Sequence, residues 1–172
     1  MKDFIQLAKD RYAVRKYKDA PVEEEKLGLI LEAAKLAPTA CNYQPQKIYV
    51  VKSDEMRKKL AEVCPCTFAA PVIFVVGYEA SRSAKGLVSP GHDFGDTDAA
   101  IVCTHMMLEA HELGLGSCWV GYFSEEKVRA ALGIGENVRI RDLLPVGYPA
   151  DDASPAPMHT KYREMSDMVT EL

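Results

Sequence analysis

Pro71-Val-Ile-Phe-Val-Val-Gly77 is an unbroken apolar run bounded by a proline and a glycine. A strand sends successive side chains to opposite faces of its sheet, so such a run reads as a central strand covered on both sides. Upstream, Lys47-Ile-Tyr-Val-Val-Lys52 reads as a second strand, and Val138 to Val146 downstream as a third. Helix patterns surround them. Leu27, Ile30, Ala34 and Ala37 line one face of a helix. Pro21, with Glu23, Glu24 and Glu25 after it, predicts its first turn, because carboxylates complement the unpaired N–H groups there. Pro38 ends it by disfavouring helical geometry in the residue before it.

Farther out, Phe4, Ile5, Leu7 and Ala8 predict a short helix, followed by an extended stretch through Val14 and Tyr17. Ser53 with Asp54 caps a helix to about Val63. Residues 79–96 read as a polar loop, of a length that marks a lid or a loose insertion. Asp98 is expected to cap a helix to about Leu113 whose residues 99–108 carry no formal charge apart from His105. A helix apolar nearly all round needs cover on every side, here from the sheet and a second subunit. Gly114 and Gly116 end it. Cys118 to Phe123 is strand-like, and Ser124-Glu-Glu-Lys127 opens another short helix. After Tyr148 the composition turns to Pro, Ala, Asp and Ser, a linker, and the polar tail with Lys161 and Arg163 must pack on something else. No internal repeat or second-domain boundary is visible, so residues 1–172 read as one domain.

The chain has 172 residues, about half apolar, and a formal net charge of -4. That balance argues against general affinity for nucleic acid or anionic membrane. Neither a signal peptide nor a span of eighteen apolar residues is present, which predicts a cytoplasmic protein. Five cysteines, at 41, 64, 66, 103 and 118, make no disulfide framework in that compartment. Cys64-Pro-Cys66 fits no standard zinc spacing, so no metal site is assigned and these cysteines read as packing residues. Nucleotide fingerprints, a Walker loop, a nucleophile elbow and a metal triad are all missing from the sequence.

Two segments stand out chemically. Arg11-Tyr-Ala-Val-Arg15 sets two guanidinium groups four residues apart, and guanidinium presents fixed donors that match phosphate oxygens. Ala37-Pro-Thr-Ala-Cys-Asn-Tyr-Gln-Pro-Gln46 puts amide and hydroxyl groups into a loop directly after an apolar helix.

With Gly114-Leu-Gly-Ser-Cys-Trp119 and the basic pair Lys161 and Arg163, these segments occur in an order that resembles the FMN-dependent nitroreductase family over nearly the whole chain. The resemblance implies an α+β fold with a mixed, mainly antiparallel sheet flanked by helices in three α/β/α layers. It also implies an intertwined homodimer with FMN at the interface and the tail, residues 151–172, reaching to the partner. It assigns Arg11, Arg15, Lys161 and Arg163 to the phosphate, with Tyr12 and Ala13 contributing backbone contacts. Ala13 departs from the serine common in the family, so one phosphate-facing hydroxyl is missing. Pro38, Thr39, Ala40, Asn42 and Gln44 fall where the family lines the flavin, as do Trp119, Val120 and Gly121. His105 reads as a hydrogen-bonded structural residue.

The implied activity is an FMN-dependent oxidoreductase passing hydride from NAD(P)H to a small acceptor such as a nitroaromatic or quinone. No side chain need act as catalytic acid, so none is assigned. A flavin-dependent dehalogenase or flavin-fragmenting enzyme of the same fold, and a non-enzymatic flavin-binding protein, are the alternatives.

Overall fold

The computed structural model describes residues 3–86 and 89–172. The part of the 79–96 loop expectation that falls on Leu87 and Val88 therefore lies outside the described residues. Helix α1 spans Phe4–Asp10, α2 Glu24–Leu36, α3 Asp54–Val63, α4 Gly95–Glu112, α5 Glu125–Leu132 and α6 Met165–Met168. The strands are β1 Gln46–Val51, β2 Val72–Glu79, β3 Gly116–Ser117 and β4 Val138–Gly147. They form one sheet in the order β1-β2-β4-β3.

Every strand pairing in this sheet is antiparallel, which corrects the expectation of a mixed sheet. The parallel element is reduced to an isolated bridge between Ala13 and Ser117, because the segment after α1 touches the short β3 at a single rung. The apolar run at 71–77 is the central strand β2, and its two faces feed two cores. Val72, Phe74 and Val76 pack with Leu27, Ile30 and Ala34 of α2 and with Val102 and Met106 of α4. Ile73 and Val75 pack on the opposite face with Leu60 of α3 and Val128 of α5. Cys64 and Cys66 belong to this second core.

Strand β4 serves both cores by breaking its own alternation. Val76 pairs with Asp142, but the next residue, Gly77, pairs with Ile140, so Arg141 is an extra residue in the ladder. A bulge of this kind shifts which residues face which side. Val138, Ile140 and Leu143 face the α3 and α5 core, while Leu144 and Val146 face α2 and α4.

Local chemistry explains most boundaries. Ser53 accepts from Met56 N, and Ser124 from Lys127 N, so each caps its helix. Helix α2 starts later than its proline predicts: Glu23 is the N-cap, and Pro21 lies outside the helix because Val22 dips into the core first. Helix α4 starts earlier than expected, at Gly95. Asp93 Oδ1 takes the Gly95 N–H at 2.9 Å and the Asp98 N–H closes on Phe94 O at 2.9 Å, so Asp98 sits inside the first turn instead of capping it. At Gly95 a Cβ would stand 2.2 Å from the Tyr78 ring, so only glycine lets the helix start this close to β2.

The strand expected over 118–123 is also corrected. Regular pairing ends at Ser117; beyond it only the Cys118 N–H to Pro145 O bond and the Val120–Leu143 bridge hold the segment to β4, until Phe123 N–H turns back to Gly121 O to reach the α5 cap.

The segment after β4 is pinned to the amino-terminal stretch, where a free linker was expected. Ala150 N–H bonds Lys16 O, and Lys16 and Lys18 form ion pairs with Asp152 and Asp151. Just before it, the Tyr148 hydroxyl donates to the Glu23 carboxylate and accepts from Lys26 Nζ, which also donates to Leu113 O. Beyond the pinned segment the tail forms the four-residue helix α6, which composition did not foretell. Met158, Tyr162, Met165 and Met168 stand exposed on it.

Helix α4 is covered along one stripe, through Ala99, Val102, Cys103, Met106 and Ala110. On its other side Thr104, His105 and Leu108, with Phe4, Leu7 and Ala33, line a groove of about 780 Å³. No helix among the described residues is long and apolar enough to cross a membrane.

Candidate functional site

The amino-terminal arginine turn attaches to the start of the α4-to-β3 return. Arg11 is the C-cap of α1, and beyond it Ala13 bridges Ser117, with Val14 N–H bonded to Ser117 O at 2.9 Å. Gly116 permits this, since a Cβ there would stand 2.5 Å from Val14. The Tyr12 ring meets His159 edge-on, while its hydroxyl lies 3.5 Å from Ala153 O. Ala13, Arg15 and Lys16 then line a cleft of about 170 Å³ with Asp152, Ser154 and Ala156. The cations here divide sharply. Lys16 and Lys18 are neutralised by aspartates, whereas among the described residues Arg11 and Arg15 have no carboxylate partner. Burial pushes the Cys118 thiol up in pKa, and the nearby Arg15 guanidinium pulls it partly back. Ser117 Oγ is buried with no hydrogen-bond partner among the described residues.

Residues 38–44 form a second, tightly wound turn. Thr39 Oγ1 accepts from Gln44 N–H at 3.0 Å, and Gln44 Nε2 donates to Asn42 Oδ1 at 2.9 Å. Both amide side chains singled out in the sequence are thus engaged with each other. Cys41, Asn42 and Gln44 adopt positive φ, a left-handed geometry that costs on the order of 1–2 kcal/mol for such residues. A buried carboxylate holds the turn: Asp98 Oδ1 accepts from Ala40 N–H at 2.8 Å. Its other oxygen, Oδ2, is buried without a partner.

The third piece is Trp119-Val-Gly121. Val120 exchanges two backbone hydrogen bonds of 2.9 Å with Leu143 and so lies against β4. Trp119 projects beside it, 36% exposed, and its indole Nε1 donates to Asp142 Oδ1. At Gly121 a Cβ would meet nothing within 4 Å, so the space in front of that backbone is open.

These pieces do not converge within one chain. The 38–44 turn hangs on Asp98, near the start of α4, and on the end of β2, where Glu79 N–H bonds Pro45 O. The arginine turn sits at Ser117, beyond the far end of α4, and Ser117 pairs with Val146, which pairs with Val72 at the start of β2. From Asp98 to Leu113 along the helix is about 22 Å at 1.5 Å per residue. From Val72 to Glu79 along the strand is about 23 Å. Trp119 to Gly121 lie between the two, at most about 13 Å from Ser117 to Gly121, with the Trp119 indole on Asp142, which neighbours Asp96 at the start of α4. Lys161 and Arg163 are exposed on the tail, with Arg163 Nη2 donating to Asp167 O. His105 packs as expected of a structural residue, its Nδ1 2.9 Å from Ile101 O.

Sequence reasoning missed Asp98 and Asp142 as parts of this region. Asp98 was hidden by its resemblance to a cap. Asp142 carried a usable signal, an acid directly before the apolar run Leu143 to Val146.

Comparison with known proteins gives one consistent result. The profile of the Nitroreductase family matches residues 8–69 and 64–148. A protein of Methanothermobacter thermautotrophicus, provisionally named an NADH dehydrogenase/NAD(P)H nitroreductase, is 34% identical over 157 residues, covering 87% of this chain and 79% of its own length. The crystal structure of a nitroreductase family protein from Clostridium difficile 630 superposes with a TM-score of 0.91 at 34% identity, covering 98% of both chains. An FMN-dependent nitroreductase from Clostridium difficile R20291 gives a TM-score of 0.75 at 28% identity, covering 95% of this chain and 94% of its own. With its profile matched from residue 8 to residue 148 and its fold shared end to end with a solved member, the chain belongs to the nitroreductase family.

Proposed function

We propose that this chain is an FMN-dependent oxidoreductase that takes hydride from NAD(P)H and delivers it to a small electron acceptor such as a nitroaromatic or a quinone. The observation that carries this reading is that Arg11 and Arg15 have no carboxylate partner among the described residues, while Lys16 and Lys18 are each paired with an aspartate. A guanidinium without a carboxylate partner, as Arg15 is at its cleft, fits an anionic ligand. The residues present suit a phosphorylated flavin: Arg11, Tyr12, Ala13 and Arg15 for the phosphate, and the open backbone at Gly121 beside Trp119 and Val120 for the ring. Bound FMN supplies the two-electron chemistry that no side chain here possesses. The protein grips the phosphate, limits access to the ring and leaves proton delivery to solvent.

The 38–44 turn contributes Pro38, Thr39, Ala40, Asn42 and Gln44 to the ring. Flavin mononucleotide is shorter than the separation of the two turns within one chain, so the arginine turn of one subunit and the 38–44 turn of another complete each site. The working unit is a homodimer, a three-layer domain spanning residues 1–172 in each copy, with the tail from 151 to 172 bringing Lys161 and Arg163 onto the partner. The exposed methionines of the tail and the groove beside α4 support this arrangement. The reductase reading is preferred over dehalogenation, flavin fragmentation or mere carriage of flavin because a relative 34% identical carries an NAD(P)H nitroreductase name. A reduced, cytoplasmic setting suits its free cysteines.

The purified protein is expected to be yellow, to release FMN and not FAD on denaturation, and to be bleached by NADH or NADPH under anaerobic conditions. Chromatography that shows FAD, or a flavin that neither nicotinamide bleaches, would overturn this function.

A further inference from the structure

Asp142 is a buried carboxylate in the middle of a sheet. It is 8% exposed, on a strand whose other covered residues are almost all apolar. Leaving a carboxylate there without compensation is costly, and an apolar residue at the same place would be easier to bury. The β4 bulge decides which way it faces. With Arg141 as the extra residue, Asp142 keeps the face of Leu144 and Val146, toward α4, while Ile140 remains in the opposite core.

The adjacent cation, Arg141, favours the Asp142 charge but makes no hydrogen bond to it. Arg141 binds Asp96 and Glu125 and lies over the Tyr78 ring. From α4, Asp96 and Cys103 face Asp142, and neither donates a cation. The hydrogen bond that Asp142 does make goes to the indole N–H of Trp119. An indole only donates, so this pair cannot relay a proton; it can only hold a ring in place. The ring it holds is part of the segment leading to Gly121, whose open side lies in the region assigned above to the flavin ring.

We propose that Asp142 is a positioning residue of the flavin site, fixing the indole of Trp119 so that the backbone from 119 to 121 presents one set edge to the ring. The proposal rests on the FMN reading of the previous section. A half-exposed tryptophan without such a bond would sample several rotamers, and ordering it would oppose cofactor binding. Asp142 settles that conformation before the cofactor arrives.

Trp119 is the single tryptophan of the chain, so its emission reports this bond without labelling. The experiment uses the full-length protein, stripped of flavin and then titrated with FMN, as wild type, Asp142→Asn, Asp142→Ala and Trp119→Phe. Asp142→Ala is expected to shift the apo-protein emission to the red and to weaken FMN binding about tenfold, the size of one lost charged hydrogen bond. Asp142→Asn retains an acceptor oxygen and is expected to stay near wild type in both readouts, and an emission shift as large as that of Asp142→Ala would overturn the hydrogen-bond role. Should the alanine variant fail to fold, Trp119→Phe removes the same bond from its other end, and it too is expected to lower FMN affinity about tenfold.

Emission of Asp142→Ala that coincides with wild type, or FMN affinity equal to wild type in Asp142→Ala or Trp119→Phe, would overturn the proposal. Wild type that binds no FMN would overturn the flavin reading and this proposal together. Wild type that binds FMN, beside an alanine variant that binds it equally well, would overturn this proposal alone.

Discussion

The arginine turn and the 38–44 turn are built on opposite plans. At the arginine turn Arg11 and Arg15 have no carboxylate partner among the described residues, and the backbone is secured through Ala13, Val14 and Ser117. At the 38–44 turn the side chains are tied to each other and the turn itself is gripped from below by Asp98, a residue 2% exposed. A phosphate brings enough charge to organise flexible guanidinium groups on arrival. A flat ring would bring little, and on the proposed reading its surroundings are set in advance by buried carboxylates, Asp98 at one turn and Asp142 at Trp119.

The largest test of this contrast removes the tail. On the proposed arrangement, deleting residues 151–172 is expected to weaken the dimer and flavin retention in one step, since it would take away both interface and the two tail cations. Sedimentation together with flavin content checks it. A truncated protein that stays dimeric with a full flavin complement would leave the tail without a role at the phosphate end.

Next in size, Arg15→Glu should lower FMN affinity at least tenfold, from the loss of a charged hydrogen bond of roughly 1.5–3 kcal/mol. Because Arg15 is exposed, folding stability should move by only about 0.5 kcal/mol or less. Equal flavin occupancy in mutant and parent would return Arg15 to the ordinary surface.

The 38–44 turn should respond in the reverse sense. Asp98→Ala strands the Ala40 N–H and is expected to cost about 1–3 kcal/mol of stability in chemical denaturation, with Asp98→Asn milder because it keeps an acceptor. If Asp98→Ala melts like wild type, the turn is held by something other than this bond.

The smallest effect concerns pH. Burial raises the pKa of Asp142 above the usual carboxylate value, with the Trp119 hydrogen bond opposing in part. The folded state therefore holds a proton that the unfolded chain has already released. The resulting penalty is absent below the unfolded value, near pH 4, and grows as pH rises through the folded one. Asp142→Asn should accordingly gain stability relative to wild type as pH climbs from about 4 toward neutrality. A stability difference that is flat across that range would show that Asp142 ionises as freely in the fold as outside it.

How far the fold could be read in advance followed the range of the forces involved. Ser53 and Ser124 announce their helices because a cap is a contact between residues three apart. The run at 71–77 announces a strand with two covered faces, because hydrophobic burial leaves its mark at every position. The Arg141 bulge leaves no such mark, since only the register against β2 reveals it. Nor does the pinning of 150–152 by Lys16 and Lys18, which joins residues more than 130 apart in sequence. At the candidate site, the arginine turn and the 38–44 turn were visible as chemistry, but their separation along α4 and their hold on Asp98 and Ser117 belong to the tertiary structure.

The five thiols differ in exposure: Cys41 alone stands exposed, Cys66 is half-buried, and Cys64, Cys103 and Cys118 are buried. The 38–44 turn thus carries its own address for covalent labelling. An alkylating reagent applied to the native protein should modify Cys41 first, and the rate of that modification becomes a footprint of whatever covers the turn, read by mass spectrometry with no mutation at all.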